Sequence, residues 1–177
     1  DLNIYDNLQF YAEIYKLEDS NKKIEDILVF IGLQNRKNEL VGRLSKGMKQ
    51  KLAIARILLY SPEVIFFDEP TSGLDPLFQR EIRELIQQLT QRGITIFLSS
   101  HNLQEVQEIC TNIAFLKEGH LLKVDTLEYF VSKYHNSKKL CSGLYYFLFD
   151  PFPEIVELIK KIKKHIMTFF AIRKKFL

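Results

Sequence analysis

Two short apolar runs, Val64-Ile65-Phe66-Phe67 and Ile94-Thr95-Ile96-Phe97-Leu98, constrain the fold of this chain more than any other feature. Each ends abruptly in polar groups, the first in Asp68-Glu69-Pro70 and the second in Ser99-Ser100-His101. A near-unbroken apolar run of this length is expected of a strand covered on both faces. Between the runs lie an amphipathic helical pattern over 77–91 and a stop at Gly93. Strand, helix and strand in that order imply a right-handed parallel crossover. The chain is therefore expected to contain a parallel α/β sheet, with ligands bound beyond the carboxyl ends of its strands.

Helices are expected before this unit. Apolar residues recur three and four apart over 5–15 (Leu8, Tyr11, Ala12, Tyr15) and over 21–31 (Ile24, Ile27, Leu28, Ile31), the second helix being closed by Gly32. A polar stretch over 34–39 leads to Leu44, and Ser45 stands where a cap belongs, before a helical run over 48–60. After the second strand, a helix over 103–110 precedes apolar segments at 113–116 and 121–124. The turn Lys117-Glu118-Gly119 between them predicts a hairpin that finishes the sheet. Beyond Thr126 the pattern predicts a helix to about Tyr134, a strand over 144–149 and a basic amphipathic helix from Glu154.

With 177 residues, 46% of them hydrophobic and 27% charged, the chain has the composition and length of a domain with a proper core. No apolar stretch approaches the roughly 18 residues of a membrane span, so a location in the cytoplasm or against a membrane surface is expected. Cys110 and Cys141 share no metal-ligand spacing with each other or with the four histidines, which points to two buried free thiols. Residues 154–177 hold seven Lys and Arg against Glu154 and Glu157, a net +5 that leaves −2 for the rest of a +3 chain. Ile155, Leu158, Ile159, Ile162, Ile166, Phe169 and Phe170 keep helical spacing opposite these lysines. That face suits packing on the domain, a partner helix or an anionic membrane surface.

Three groups of residues invite chemistry, and each has a plain structural alternative. Adjacent carboxylates Asp68 and Glu69 at a strand's carboxyl end suit a hydrated divalent cation and the deprotonation of a water, and they also suit helix capping. His101 at the end of the second run suits a hydrogen bond to a phosphate oxygen, or a structural role. Ser45-Lys46-Gly47 before a helix supplies free backbone N–H groups, a flexible glycine and a positive helix end for an anion, or forms an ordinary capped start.

The order and neighbours of these groups resemble one family. Leu44-Ser45-Lys46-Gly47-Met48-Lys49-Gln50 resembles the signature loop of ATP-binding cassette (ABC) ATPases, and 64–70 resembles their Walker B strand. Thr71-Ser72-Gly73-Leu74-Asp75-Pro76 is similar to the D-loop, and Ser99-Ser100-His101 to the switch-histidine loop. Tyr5-Asp6-Asn7-Leu8-Gln9-Phe10-Tyr11 resembles the stretch just after the Q-loop, so the likeness runs from Asp1 to Thr126. The loop chemistry and the turn Glu118-Gly119-His120-Leu121 look closest to exporters of drugs, antibiotics or polysaccharides.

The resemblance implies an α/β P-loop NTPase fold. In it, a helical subdomain (1–60) is followed by the C-terminal part of the parallel-sheet core (61–126) and an accessory region (127–177). ATP and Mg2+ are the implied cofactors. Asp68 would bind magnesium through water, Glu69 would be the general base, and His101 would contact the γ-phosphate. Ser45 and Gly47, with Lys46 and Gln50 in the same loop, would meet ATP held by an opposite subunit, and Asp75 would sit at the subunit junction. The implied partners are a second cassette, head to tail, and transmembrane permease subunits on the cytoplasmic side of a membrane, with no nucleic acid.

Three departures from the family stand out. Lys46 occupies a position that is commonly Gly, and Met48 one that is commonly Gln. None of the seven glycines opens a G-x-x-x-x-G-K-[ST] loop: Gly42 and Gly47 have the spacing, but Met48 follows instead of Lys. The chain is thus expected to be a C-terminal piece of a larger polypeptide and to hydrolyse ATP poorly by itself. Two other readings keep the same motifs: a non-catalytic remnant, and a soluble cassette acting on ribosomes or DNA.

Overall fold

The computed structural model describes residues 2–100, 102–117, 120–129 and 145–147. The chain divides into two compact units, Asp1–Ile96 and Phe97–Leu177.

The first unit opens with three helices, α1 (Ile4–Ile14), α2 (Ser20–Phe30) and α3 (Lys46–Leu58). Three of their ends have a plain local reason. Asn3 caps α1 by accepting from the Asp6 amide at 2.8 Å. Gly32, at φ +70, ends α2 in the left-handed conformation that glycine adopts without strain. Ser45 caps α3 by accepting from the Met48 amide at 3.2 Å. The apolar stripes meet in a core of Ile4, Leu8, Ala12, Ile24, Leu28, Leu52 and Ala55, all at most 1% exposed. Arg56 fastens α3 to α1, donating to Asn7 Oδ1 at 2.8 Å with its guanidinium 4.8 Å from the Tyr11 ring centre. Among the described residues, no helix is long and apolar enough to cross a membrane.

Beyond α3 come β1 (Val64–Asp68), α4 (Pro76–Gln91) and β2 (Thr95–Ser99), the expected strand, helix and strand. The two strands are neighbours in a small parallel sheet, with the Thr95 amide donating to Glu63 O at 2.9 Å as β2 begins. Asp75 caps α4, Pro76 fills its first position, and Gly93 at φ +83 ends the chain's excursion before β2. Ile82, Leu85, Ile86 and Leu89 form the buried stripe of α4.

One strand departs from expectation. β2 is buried along its whole length, but β1 alternates: Ile65 and Phe67 are buried, whereas Val64 is 37% and Phe66 58% exposed. An apolar run reveals that both faces favour cover, and not whether both receive it. Among the described residues, only one face of β1 does.

The second unit contains α5 (Leu103–Ile109), β3 (Asn112–Lys117), β4 (His120–Thr126) and β5 (Tyr145–Phe147). β3 and β4 pair antiparallel from Asn112 opposite Thr126 to Lys117 opposite His120, with an irregularity at 115/116, which is the expected hairpin. Among the described residues it is not part of the β1–β2 sheet. It builds a separate three-stranded sheet in the order β4-β3-β5, with Phe115 opposite Tyr146. Residues 145–147 compete for the free edge of β3 from far along the chain, a pairing that local pattern does not encode. Most of the segment where a helix to Tyr134 is expected, and all of the segment where a basic helix from Glu154 is expected, lie outside the described residues.

Candidate functional site

β1 delivers Asp68 and Glu69 to the carboxyl end of the parallel pair. Asp68 is the last residue of the strand and is exposed, while Glu69 is half-buried. Glu69 has φ +49, a left-handed conformation uncommon for any residue but glycine and a kind of strain that clusters at functional sites. It turns the chain sharply out of the strand, and Pro70 and Thr71 are buried directly after it.

The turn that follows is closed by its own backbone. The Ser72 amide donates to Glu69 O at 3.1 Å and the Leu74 amide to Thr71 O at 3.2 Å, with Gly73 at φ +67 between them. Asp75 then spends its side chain on α4, its Oδ1 accepting from the Phe78 amide at 3.1 Å, and Gln79 Nε2 donates back to Leu74 O at 3.0 Å.

The second cluster, at the start of α3, lies against this turn. Lys46 Nζ donates to Ser72 O at 3.0 Å. Gly47 is buried against Phe78, closely enough that a Cβ on it would strike the ring and come within 2.8 Å of Phe78 Cβ. Lys51 Nζ pairs with Glu81 Oε2 at 2.8 Å, with the lysine side chain only 14% exposed. The structure thereby joins Lys46 and Gly47 to the loop and helix that carry Asp75. Ser45 and Lys46 are exposed, and Gln50 is half-buried on α3.

One expectation for this cluster changes, and the capping one is met. The helix begins at Lys46 rather than Met48, so Gly47 is a locked helical residue and not a flexible one. The Met48 amide is engaged by Ser45. Helical periodicity missed the first turn because it contains no apolar residue before Met48, and the signal for it was the cap itself.

His101 lies outside the described residues. Its neighbours are knit together: Ser100 Oγ contacts Glu105 Oε2 at 2.5 Å and accepts from the Asn102 amide at 3.0 Å. Glu105 is 1% exposed, a buried carboxylate that sequence reasoning passed over. Nearby, burial first and the Glu105 charge second push the Cys110 thiol up to about 12. Cys110 is a free, buried cysteine as expected, and Cys141 lies outside the described residues.

A cleft of about 350 Å³ opens elsewhere in the first unit, lined by Lys23, Phe30, Ser61, Arg92 and Ile94 among others. It adjoins the amino ends of the strands, where Arg92 stacks 3.8 Å from the Phe30 ring centre. Its place is the wrong end of a parallel sheet for the expected ligand.

This fold, a helical subdomain joined to strands that end in polar groups, is that of an ABC-type P-loop ATPase. The sequence-family model described as "AAA domain, putative AbiEii toxin, Type IV TA system" matches residues 2–106. The bacitracin transport ATP-binding protein of Bacillus licheniformis is 44% identical over 123 residues, covering 69% of this chain and 40% of that protein. The ABC transporter ATP-binding protein NatA of Bacillus subtilis is 41% identical over 125 residues, covering 70% and 51%. A fluoroquinolones export ATP-binding protein of Mycobacterium tuberculosis is 40% identical over 122 residues, covering 69% and 40%. Among solved structures, cbiO1 of Clostridium perfringens, part of the ABC transporter complex cbiONQ, superposes with a TM-score of 0.68. That match has 30% identity and covers 74% of this chain and 53% of that one. The chain belongs to the family of that AAA-domain model, and it is part of an ABC transporter ATP-binding protein. It spans about half the length of the curated relatives it matches.

Proposed function

We propose that this chain is the part of an ABC transporter's ATP-binding subunit that carries the hydrolytic carboxylates, and that the complete subunit hydrolyses ATP to drive export. The observation that carries this reading is the end of β1, where Asp68 and Glu69 emerge together and Glu69 is held at φ +49. Two relatives named for fluoroquinolone export and bacitracin transport favour the drug-export class.

In this reading Asp68 holds Mg2+ through water, as a carboxylate on an exposed residue suits a hard, hydrated cation. The ion, when bound, neutralises charge on the phosphate oxygens. Glu69 orients the attacking water and takes its proton, and His101 hydrogen-bonds the γ-phosphate. Ser45 and Gly47, flanked by Lys46 and Gln50, face ATP bound by a second cassette, whose anionic phosphates suit the positive start of α3. Asp75 lies at the junction of the pair. Residues 1–60 act as the helical subdomain, 61–126 as part of the catalytic core and 127–177 as an accessory region. The pair docks on transmembrane permease subunits at the cytoplasmic face of a membrane. Because no glycine in the chain opens a phosphate-cradling loop, the 177 residues alone hydrolyse ATP poorly or not at all.

The test begins with the coding DNA directly upstream of the Asp1 codon. An in-frame strand and G-x-x-x-x-G-K-[ST] loop are expected. The extended polypeptide should release phosphate from Mg-ATP in an azide-insensitive assay, and Glu69→Gln should lower that rate about 100-fold or more. An unchanged rate in Glu69→Gln would remove the assignment of the base.

A further inference from the structure

Lys46 stands in the first turn of α3, where a cation opposes the helix dipole and is unfavourable unless it meets an acceptor. It meets one across 26 positions of sequence, the carbonyl of Ser72, at 3.0 Å. Its ammonium fills the space beside Gly73 so closely that a Cβ there would collide with Nζ. Gly73 is at φ +67, a backbone conformation that a residue with a side chain adopts only with strain. Farther along α3, contacts with α4 hold the same helix, through Gly47 against Phe78 and Lys51 with Glu81.

We infer that Lys46 is a positioning residue that latches the 69–75 turn to the start of α3. The turn is closed by the amides of Ser72 and Leu74, and its first residue is Glu69. The Lys46 bond ties the middle of that turn to the helix whose cap is Ser45. A γ-phosphate arriving at Ser45 and Gly47 then shares an anchor with the loop that sets Glu69, so the state of one nucleotide site reaches the base serving the other. That consequence rests on the function proposed above, whereas the latch itself does not.

The test is amide hydrogen exchange on the 177-residue chain, comparing wild type, Lys46→Met and Lys46→Arg. Methionine keeps most of the apolar stem and loses the donor, and arginine keeps a donor within reach of the carbonyl. The Ser72 and Leu74 amides are expected to exchange about 3- to 10-fold faster in Lys46→Met, as loss of a charge-assisted bond at an exposed site allows. Leu52 and Ala55, in the body of α3, should keep wild-type rates, and Lys46→Arg should restore the turn. Wild-type rates at Ser72 and Leu74 in Lys46→Met would overturn the latch. So would equal acceleration throughout α3, or Lys46→Arg behaving like Lys46→Met. An intact latch in a chain whose extended form hydrolyses no ATP would sink the function and leave the latch standing.

Discussion

Ser45 shows how one residue serves local structure and a proposed ligand site together. Its hydroxyl accepts from the Met48 amide at 3.2 Å, so Ser45→Ala removes a helix cap. We expect the loss of about 1 kcal/mol, read as a lower urea midpoint with an unchanged slope. Cys110 gives a residue-scale prediction in pH. Its thiol is raised from 9.0 to about 12, first by burial and then by Glu105, so the folded state holds the proton more tightly than the unfolded chain. The associated stability is fully present below pH 9 and is lost as pH rises toward about 12. Urea midpoints measured across that window should therefore fall less steeply in Cys110→Ala than in wild type. Both roles were partly legible in advance: a serine before a helical run announces a cap, and a cysteine with no partner spacing announces a buried thiol. Glu105 was not, because nothing in its neighbours' pattern says that a carboxylate will be taken out of water.

At the scale of elements, the joint between α3 and α4 decides how the two motif-bearing loops are held. Gly47 packs on Phe78 without room for a methyl group, and Lys51 closes the far side on Glu81. Gly47→Ala is expected to destabilise the chain by about 1–3 kcal/mol through overpacking, despite alanine's better helix propensity. Thermal unfolding should show a lower midpoint, and adding Phe78→Ala should recover part of the loss, since the two positions are in contact. A glycine in a helix reads from sequence as a weak point. Only the neighbouring helix explains it.

For the whole molecule, the 177-residue chain is expected to show no azide-insensitive ATPase activity above buffer, while the polypeptide extended through an upstream phosphate loop does. A rate in the short chain that Glu69→Gln abolishes would contradict the dependence on that loop. The order of helices, strands and motifs along the chain was readable because each is written in short-range terms: the spacing of apolar residues, a capping serine or aspartate, a glycine after a helix. Asp68 and Glu69 were placed at a strand end by the same local logic. The tertiary structure alone decided which surfaces were covered and which distant groups met. It left Phe66 58% exposed on β1, gave the edge of β3 to residues 145–147, and brought Lys46 to the Ser72 carbonyl. Those outcomes depend on contacts between segments far apart in the chain, whose closure is decided by the packing of the whole and leaves no periodic trace in either segment.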